Sequence, residues 1–295
     1  MAVPLDWLWR VAPVLRSIHG SSQQGSTLLR SLSFVAAALV ASTAPAIAQA
    51  PAALVSQAVA AIGGEQALRA VRTTRVQIVS VAFDLGQANS PSAFPTVTTF
   101  SGWQATDGPR ERHTYVLESR PGPGGTGIGR QRGVFSGGIG MLEDETGQRL
   151  ASAAQLAAAH RSMRLSLGRL LLSALADSAA LAPGGARSRR GDTVLAVHYA
   201  SASDTVALLF DRDTGMPAGI ESVSKDPVRG ERVTTTWFSR WESAGPLRLP
   251  RQSDTEVNGR LASQVITTAR LLNPVLPDSI FAIPDSVARD RPRAP

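Results

Sequence analysis

The sequence predicts an α+β fold: a large, curved antiparallel sheet of about ten strands, open or a half barrel, with a helix hairpin and one long helix against its concave face. Three observations predict it. Runs rich in valine, isoleucine, threonine and aromatic residues recur from Thr74 to Leu272, most of them separated by short Gly, Asp or Asn turns. Turns that short join antiparallel neighbours, because a parallel crossover needs a dozen or more residues. Before the strands, Leu54–Ile62 has helical spacing, and midway among them Ala151–Ala176 does too.

Leu54, Val55, Ala58, Val59 and Ile62 form a broad apolar helix face. Gly63-Gly64 ends that helix, since glycine accepts the left-handed conformation of a helix C-terminus, and Glu65–Val71 restarts a short second helix. In Arg75–Leu85 the apolar phase slips between Ile78 and Val79, which predicts a bulge or burial on both faces. Thr96–Ala105 and Arg110–Ser119 flank the turn Asp107-Gly108. A Gly-Pro loop covers 121–129, and Arg132–Leu142 reads as one glycine-rich strand before a turn at Thr146-Gly147. Ala151–Ala176 reads as a single long helix whose stripe is Leu156, Met163, Leu167, Leu170 and Ala174. The remaining strands are Thr193–Tyr199, Thr205–Asp211, Ala218–Ser224, Arg232–Trp241, Gln252–Val257 and Leu261–Leu272. Arg187-Ser188-Arg189-Arg190, beside a Gly-rich turn, reads as an exposed loop.

The end of the chain is the most specific part. Asp211-Arg212-Asp213-Thr214-Gly215-Met216-Pro217 is a turn after an apolar strand, and Asn258-Gly259 is a two-residue hairpin turn. Asn273-Pro274-Val275-Leu276-Pro277-Asp278-Ser279-Ile280-Phe281-Ala282-Ile283-Pro284 contains three prolines, so it is read as an extended segment pressing Ile280 and Phe281 onto a surface. This order of turns and strands resembles the periplasmic lipoprotein-carrier (LolA/LolB-like) family. It resembles still more the non-catalytic domain that precedes a metallo-β-lactamase-fold domain in some bacterial secreted proteins. The resemblance covers roughly 230 residues and includes the opening helix–Gly-Gly–helix. It implies a hollow interior that holds acyl chains, and it implies no catalytic residue. It also implies a second reading, an accessory domain of a hydrolase whose catalytic domain is missing or separately encoded.

Residues 1–48 read as an export signal: Arg10, Arg16 and Arg30, the apolar run Leu32–Ile47, and the small-residue site Ala46-Ile47-Ala48. Ser42, Thr43 and Pro45 interrupt the run, which argues against a membrane anchor. Residues 49–295 then form one domain, placed in the periplasm or secreted, with no later segment apolar enough to span a membrane. The chain has no cysteine, which excludes disulfides, thiolate metal sites and a lipidated N-terminal cysteine. Only Lys225 among the 30 basic residues is lysine, and the formal charge of +7 falls to about +5 once Arg10, Arg16, Arg30 and Asp6 leave. That charge is spread along the chain, unlike the clustered basic face of a nucleic-acid binder, so no nucleic-acid partner is expected.

The residues offer little chemistry. His113, His160 and His198 lie far apart in sequence, so no zinc motif is present and no metal or cofactor is expected. No Gly-x-Ser-x-Gly elbow occurs, and Gly122–Gly127 opens into strand rather than a phosphate-binding helix. Arg190-Gly191-Asp192 is read as a turn rather than an adhesion motif, and Glu143-Asp144-Glu145 and Asp211 with Asp213 as turn caps. The protein is therefore read as non-catalytic. Trp103, Tyr115, Phe135, Trp237 and Trp241 fall on predicted strands of a chain with only 5% aromatic residues, and they are the candidate lining of a site for a lipid or other hydrophobic ligand. Trp237 and Trp241, four apart in one strand, are expected on one face. Burying an acyl chain gains about 0.8 kcal/mol per methylene, so ten supply roughly 8 kcal/mol before ordering costs.

Overall fold

In a computed structural model of the chain, the described residues are 50–84, 96–121, 129–189, 191–201, 204–226 and 230–289. The leader with its cleavage site, Leu85, the loop residues 122–128 and Arg190 lie outside them. The strands are β1 (Thr73–Asp84), β2 (Thr96–Asp107), β3 (Arg112–Pro121), β4 (Arg130–Ser136), β5 (Ile139–Asp144), β6 (Gly147–Leu150), β7 (Leu181–Arg189), β8 (Asp192–Ala200), β9 (Thr205–Asp211), β10 (Pro217–Asp226), β11 (Gly230–Ala244), β12 (Leu247–Val257) and β13 (Arg260–Leu272). They make one open sheet in the order β6-β5-β4-β3-β2-β1-β13-β12-β11-β10-β9-β8-β7, every pair antiparallel. Each half is a run of hairpins, and the two halves join where β1 pairs with β13, the first strand closed on the last.

Thirteen strands replace the ten expected. Arg132–Leu142 is not one strand: Gly137 and Gly138, at φ 61 and 76, turn it back on itself as β4 and β5. That left-handed pair is the geometry of a two-residue hairpin turn, which a glycine-rich stretch hides in the sequence. β6 is four residues long, and β7 holds the stretch read as a loop, placing Arg187 and Arg189 on an edge strand. The long helix is also corrected. It is two helices, α3 (Ala153–Arg164) and α4 (Leu167–Ala176), because Ser166 is extended at φ -60, ψ 135. Its hydroxyl donates to the Met163 carbonyl at 2.9 Å, ending the first helix. A capping box starts α3: Ser152 Oγ accepts from Gln155 N–H, and Gln155 Oε1 accepts from Ser152 N–H.

The helix pair at the start matches expectation. α1 (Pro51–Ala61) and α2 (Glu65–Ala70) meet at Gly63 and Gly64, at φ 119 and 89. α1, α2 and α4 form the main core with Val197, Tyr199, Val206, Leu208, Phe210 and Ile220 from β8–β10. α3 covers Tyr115, Phe135 and Leu142 on β3–β5. Register carries one sheet face from Leu208 through Ile220, Thr236, Thr255, Ser263 and Ala82 to β2, and on to Tyr115, so α1–α4 lie on the same face. The slip in β1 has a different source from the one expected. β1 keeps regular register with β2, and the irregularity lies in its pairing with β13, where Gln77 opposes Ala269 but Ile78 opposes Thr267. Ile78, Ser80 and Ala82 are buried on the helix face, and Val79 is 40% exposed on the other.

The end of the chain straps the opposite face. Asn273, at φ 54, accepts from Arg72 N–H at 2.7 Å and donates to the Ala70 carbonyl at 2.9 Å, pinning the exit of β13 to the helix hairpin. The segment is not wholly extended, for Asp278–Phe281 forms one 3-10 turn before α5 (Asp285–Ala288). Phe281 is 3% exposed beneath the Arg112 guanidinium, 4.4 Å from its ring centre, and Arg112 pairs with Asp107 at 2.6 Å and Asp278 at 2.7 Å. Val287 packs on Val134 and Met141.

Candidate functional site

The hairpin glycines position a cleft. Gly63 passes so close to the β11–β12 turn that a Cβ there would sit 2.5 Å from the Pro246 carbonyl oxygen, and Arg248 N–H bonds the Ile62 carbonyl at 3.0 Å. α2, the Ala244–Leu247 turn and the end of β13 then surround a cavity of about 350 Å³. Its walls are mostly apolar, with Ala67, Val71, Pro246, Leu247 and Leu272 among them; Leu271, 56% exposed, turns its side chain to the other face of the sheet, as its partner Arg75 does. The size falls at the lower end of small-molecule sites, roughly 300–1,000 Å³.

Arg270 is the one charged residue among those that line it. Its side chain is 11% exposed, and burial pushes the guanidinium below the ordinary arginine range, with Glu242 opposing that shift. Nη2 donates to the Pro250 carbonyl at 2.6 Å. Nη1 lies 3.7 Å from Glu242 Oε1, beyond hydrogen-bonding distance, and has no hydrogen-bond partner.

The five aromatic candidates do not converge. Tyr115 and Phe135 are packed core beneath α3, and a Cβ at Gly133 would run into the Tyr115 ring. Trp103 is on the face away from the helices, under the Arg75 guanidinium at 5.0 Å. Trp237 is on that face too, packed with Val194 and Leu209 under Arg189 at 4.1 Å. Trp241 does not join it. Arg240 between them has φ 53, which breaks the extended alternation, and Trp241 packs edge-on to Phe238 at 6.4 Å against the helix-side core. Trp241 is nonetheless the candidate nearest the cleft: it pairs across strands with Pro250, whose carbonyl holds Arg270, and it precedes Glu242. Sequence reasoning missed Arg270, whose signal, a cation inside Ala269-Arg270-Leu271-Leu272, had no contrast among so many arginines.

A second feature lies between the two helix groups. On the helix face of the central strands, Ile78, Ala82 and Phe100 are buried beside the hydroxyls of Ser80, Thr234 and Ser263, which have no hydrogen-bond partner. Buried hydroxyls are normally satisfied, and with Thr236 and Thr255, whose hydroxyls bond each other at 3.3 Å, they make the central part of this face polar.

The titratable groups are structural. Asp144 accepts from Thr146 N–H and Oγ1–H, and Asp211 from the same groups of Thr214, and these bonds hold both carboxyls below the usual range. A second, charged cleft of about 200 Å³ is lined by Arg130, Arg132, Glu143, Asp144 and Glu145. His113 is pushed down to about 4 by burial, and its ring stacks on Phe135 at 6.3 Å. Among the described residues no three His, Asp or Glu side chains are grouped to hold a metal, and no helix is long and apolar enough to cross a membrane.

No known protein family matches the chain, and neither does any curated protein sequence. Solved structures similar over most of its length include two of known superfamily or family description. One is a DUF1329 family protein from Desulfovibrio piger, 13% identical, covering 79% of this chain and 97% of its own, with a TM-score of 0.48. The other is a LolA superfamily protein from Nitrosomonas europaea, 12% identical, covering 79% and 98%, with a TM-score of 0.45. The neighbours thus include the superfamily that the turns resemble, and neither bears on a metallo-β-lactamase-fold partner. At these scores they add nothing to the strand order and register described above.

Proposed function

We propose that this chain is an exported, non-catalytic protein of the periplasm or extracellular space that binds a lipid or other hydrophobic ligand. The observation that carries the proposal is the cleft between α2, β13 and the β11–β12 turn, mostly apolar in its walls. Asp144 and Asp211 are capped by threonines and Asp204 is paired with Arg161 and Arg164, the state of groups that hold turns and helices rather than move protons. The alternative of an accessory domain for a separately encoded hydrolase draws no support from the site or its neighbours.

Trp103, Trp237 and Trp241 are the tryptophans beyond the leader, and Trp241, next to Glu242 and paired with Pro250, is the one expected to report on the cleft. Titration with a fatty acid is expected to change intrinsic fluorescence saturably, and Trp241→Phe is expected to remove most of that change. No saturable response to fatty acids, lysophospholipids or acylated peptides would overturn the proposal.

A further inference from the structure

We propose that the cleft selects an acid with an apolar body, its carboxylate replacing Glu242 beside Arg270 and its alkyl chain lying against Val71, Leu247 and Leu272. The inference rests on the hydrophobic-ligand reading and narrows it to an anionic ligand.

The argument begins with the cost of the arginine. A guanidinium carries five N–H donors and keeps its charge, so placing it at 11% exposure needs partners for both terminal nitrogens. Nη2 has one in the Pro250 carbonyl. Nη1 does not: Glu242 stands at 3.7 Å, close enough to neutralise but too far to accept. An apolar residue at position 270 would fill the same wall without this deficit. The arrangement leaves Nη1 without accessible surface and without a hydrogen-bond partner among the described residues, beside Glu242; once Glu242 turns away, another carboxylate is the group that fits the planar fork.

Glu242 is the present counter-ion and is 36% exposed, so its carboxylate can turn outward into water when a ligand's takes its place. That exchange keeps the buried charge neutral throughout. The remaining lining offers no second cation and no ordered set of donors for a larger head group. A volume of about 350 Å³ suits a single medium-length chain rather than a two-chain lipid.

Isothermal titration of the purified protein with decanoate, decanol and acetate separates the contributions. Decanoate is expected to bind at least tenfold more tightly than decanol, and acetate not measurably. Arg270→Gln should bring decanoate to the decanol level while leaving decanol unchanged, and Arg270→Lys should recover only part of the difference. Glu242→Gln, which removes the competing carboxylate from a half-exposed position, should strengthen decanoate binding several-fold. Equal affinity for decanoate and decanol, or weaker decanoate binding in Glu242→Gln, would overturn the assignment of Arg270 and leave a neutral hydrophobic ligand. Failure of both decanoate and decanol, with a longer neutral lipid still binding, would overturn the cleft as the site. Failure of every lipid would overturn the broader reading as well.

Discussion

Phe281→Ala tests the strap. The ring is 3% exposed, lies under Arg112 at 4.4 Å, and is held in a 3-10 turn whose Asp278 completes the Arg112 pairing. Truncating a buried phenylalanine costs about 3–5 kcal/mol, through lost transfer energy and the cavity left behind. Each kcal/mol lowers the melting temperature of a domain of this size by about 2–4 °C, so a drop of roughly 6–20 °C is expected by calorimetry or circular dichroism. Phe281→Leu keeps most of the apolar volume and loses the cation–π contact, worth about 1 kcal/mol, so its drop should be no more than about 4 °C beyond its packing loss. Because the strap is peripheral, the alanine variant should also expose the 273–289 segment to protease well below its melting temperature. A variant that melts within about 2 °C of the parent and resists protease equally would show that the segment is a loose tail.

Other outcomes follow from particular contacts. Asn273→Ala loses the bonds to Arg72 and Ala70 and strains a residue at φ 54, and should cost about 2–3 kcal/mol in urea unfolding; Asn273→Gly relieves the strain alone and should cost less. Burial would raise the Asp204 carboxyl, but hydrogen bonds from Arg161 and Arg164 outweigh it and hold the group below the usual range. A lowered folded-state value means the stabilisation is complete above the unfolded carboxylate range and is lost as pH falls through the folded value, so Asp204→Asn should flatten the acid limb of stability against pH below about 4. Gly133→Ala should destabilise by about 1–3 kcal/mol, since its methyl would displace the Tyr115 ring. N-terminal sequencing of exported protein should begin at Gln49, and a product that keeps Leu32–Ile47 would contradict export with cleavage.

What the residues disclosed depended on how local the determinant was. Asn258-Gly259 supplied its turn directly, with φ 48 and 76 as a two-residue hairpin requires, and Asp211 to Gly215 did likewise through the Asp211–Thr214 bonds. The antiparallel sheet followed from such turns. The hairpin inside Arg132–Leu142 did not, because Gly133, Gly137, Gly138 and Gly140 look alike in sequence while only Gly137 and Gly138 have positive φ. The break at Ser166 was masked by an apolar stripe that continues in phase across it, from Met163 to Leu167 and Leu170. β7 was hidden by Pro183 and Gly184-Gly185, residues an edge strand tolerates where the register shifts. The cleft was the least legible part. Its walls come from α2, a turn and the end of β13, segments some 200 residues apart that only the β1–β13 pairing and Asn273 bring together. The aromatic strand positions drew attention instead, and strand alternation sends two of those side chains to the helix-free face.

The most direct test of ligand binding is to purify the protein under native conditions from the compartment to which it is exported, extract it with organic solvent, and identify bound molecules by mass spectrometry beside an equal amount of Arg270→Gln. The account predicts a near-stoichiometric single-chain amphiphile bearing an acid group in the parent, and little or none in the variant. Extracts of parent and variant that are equally empty, from protein that also gives no saturable titration with any lipid, would contradict it.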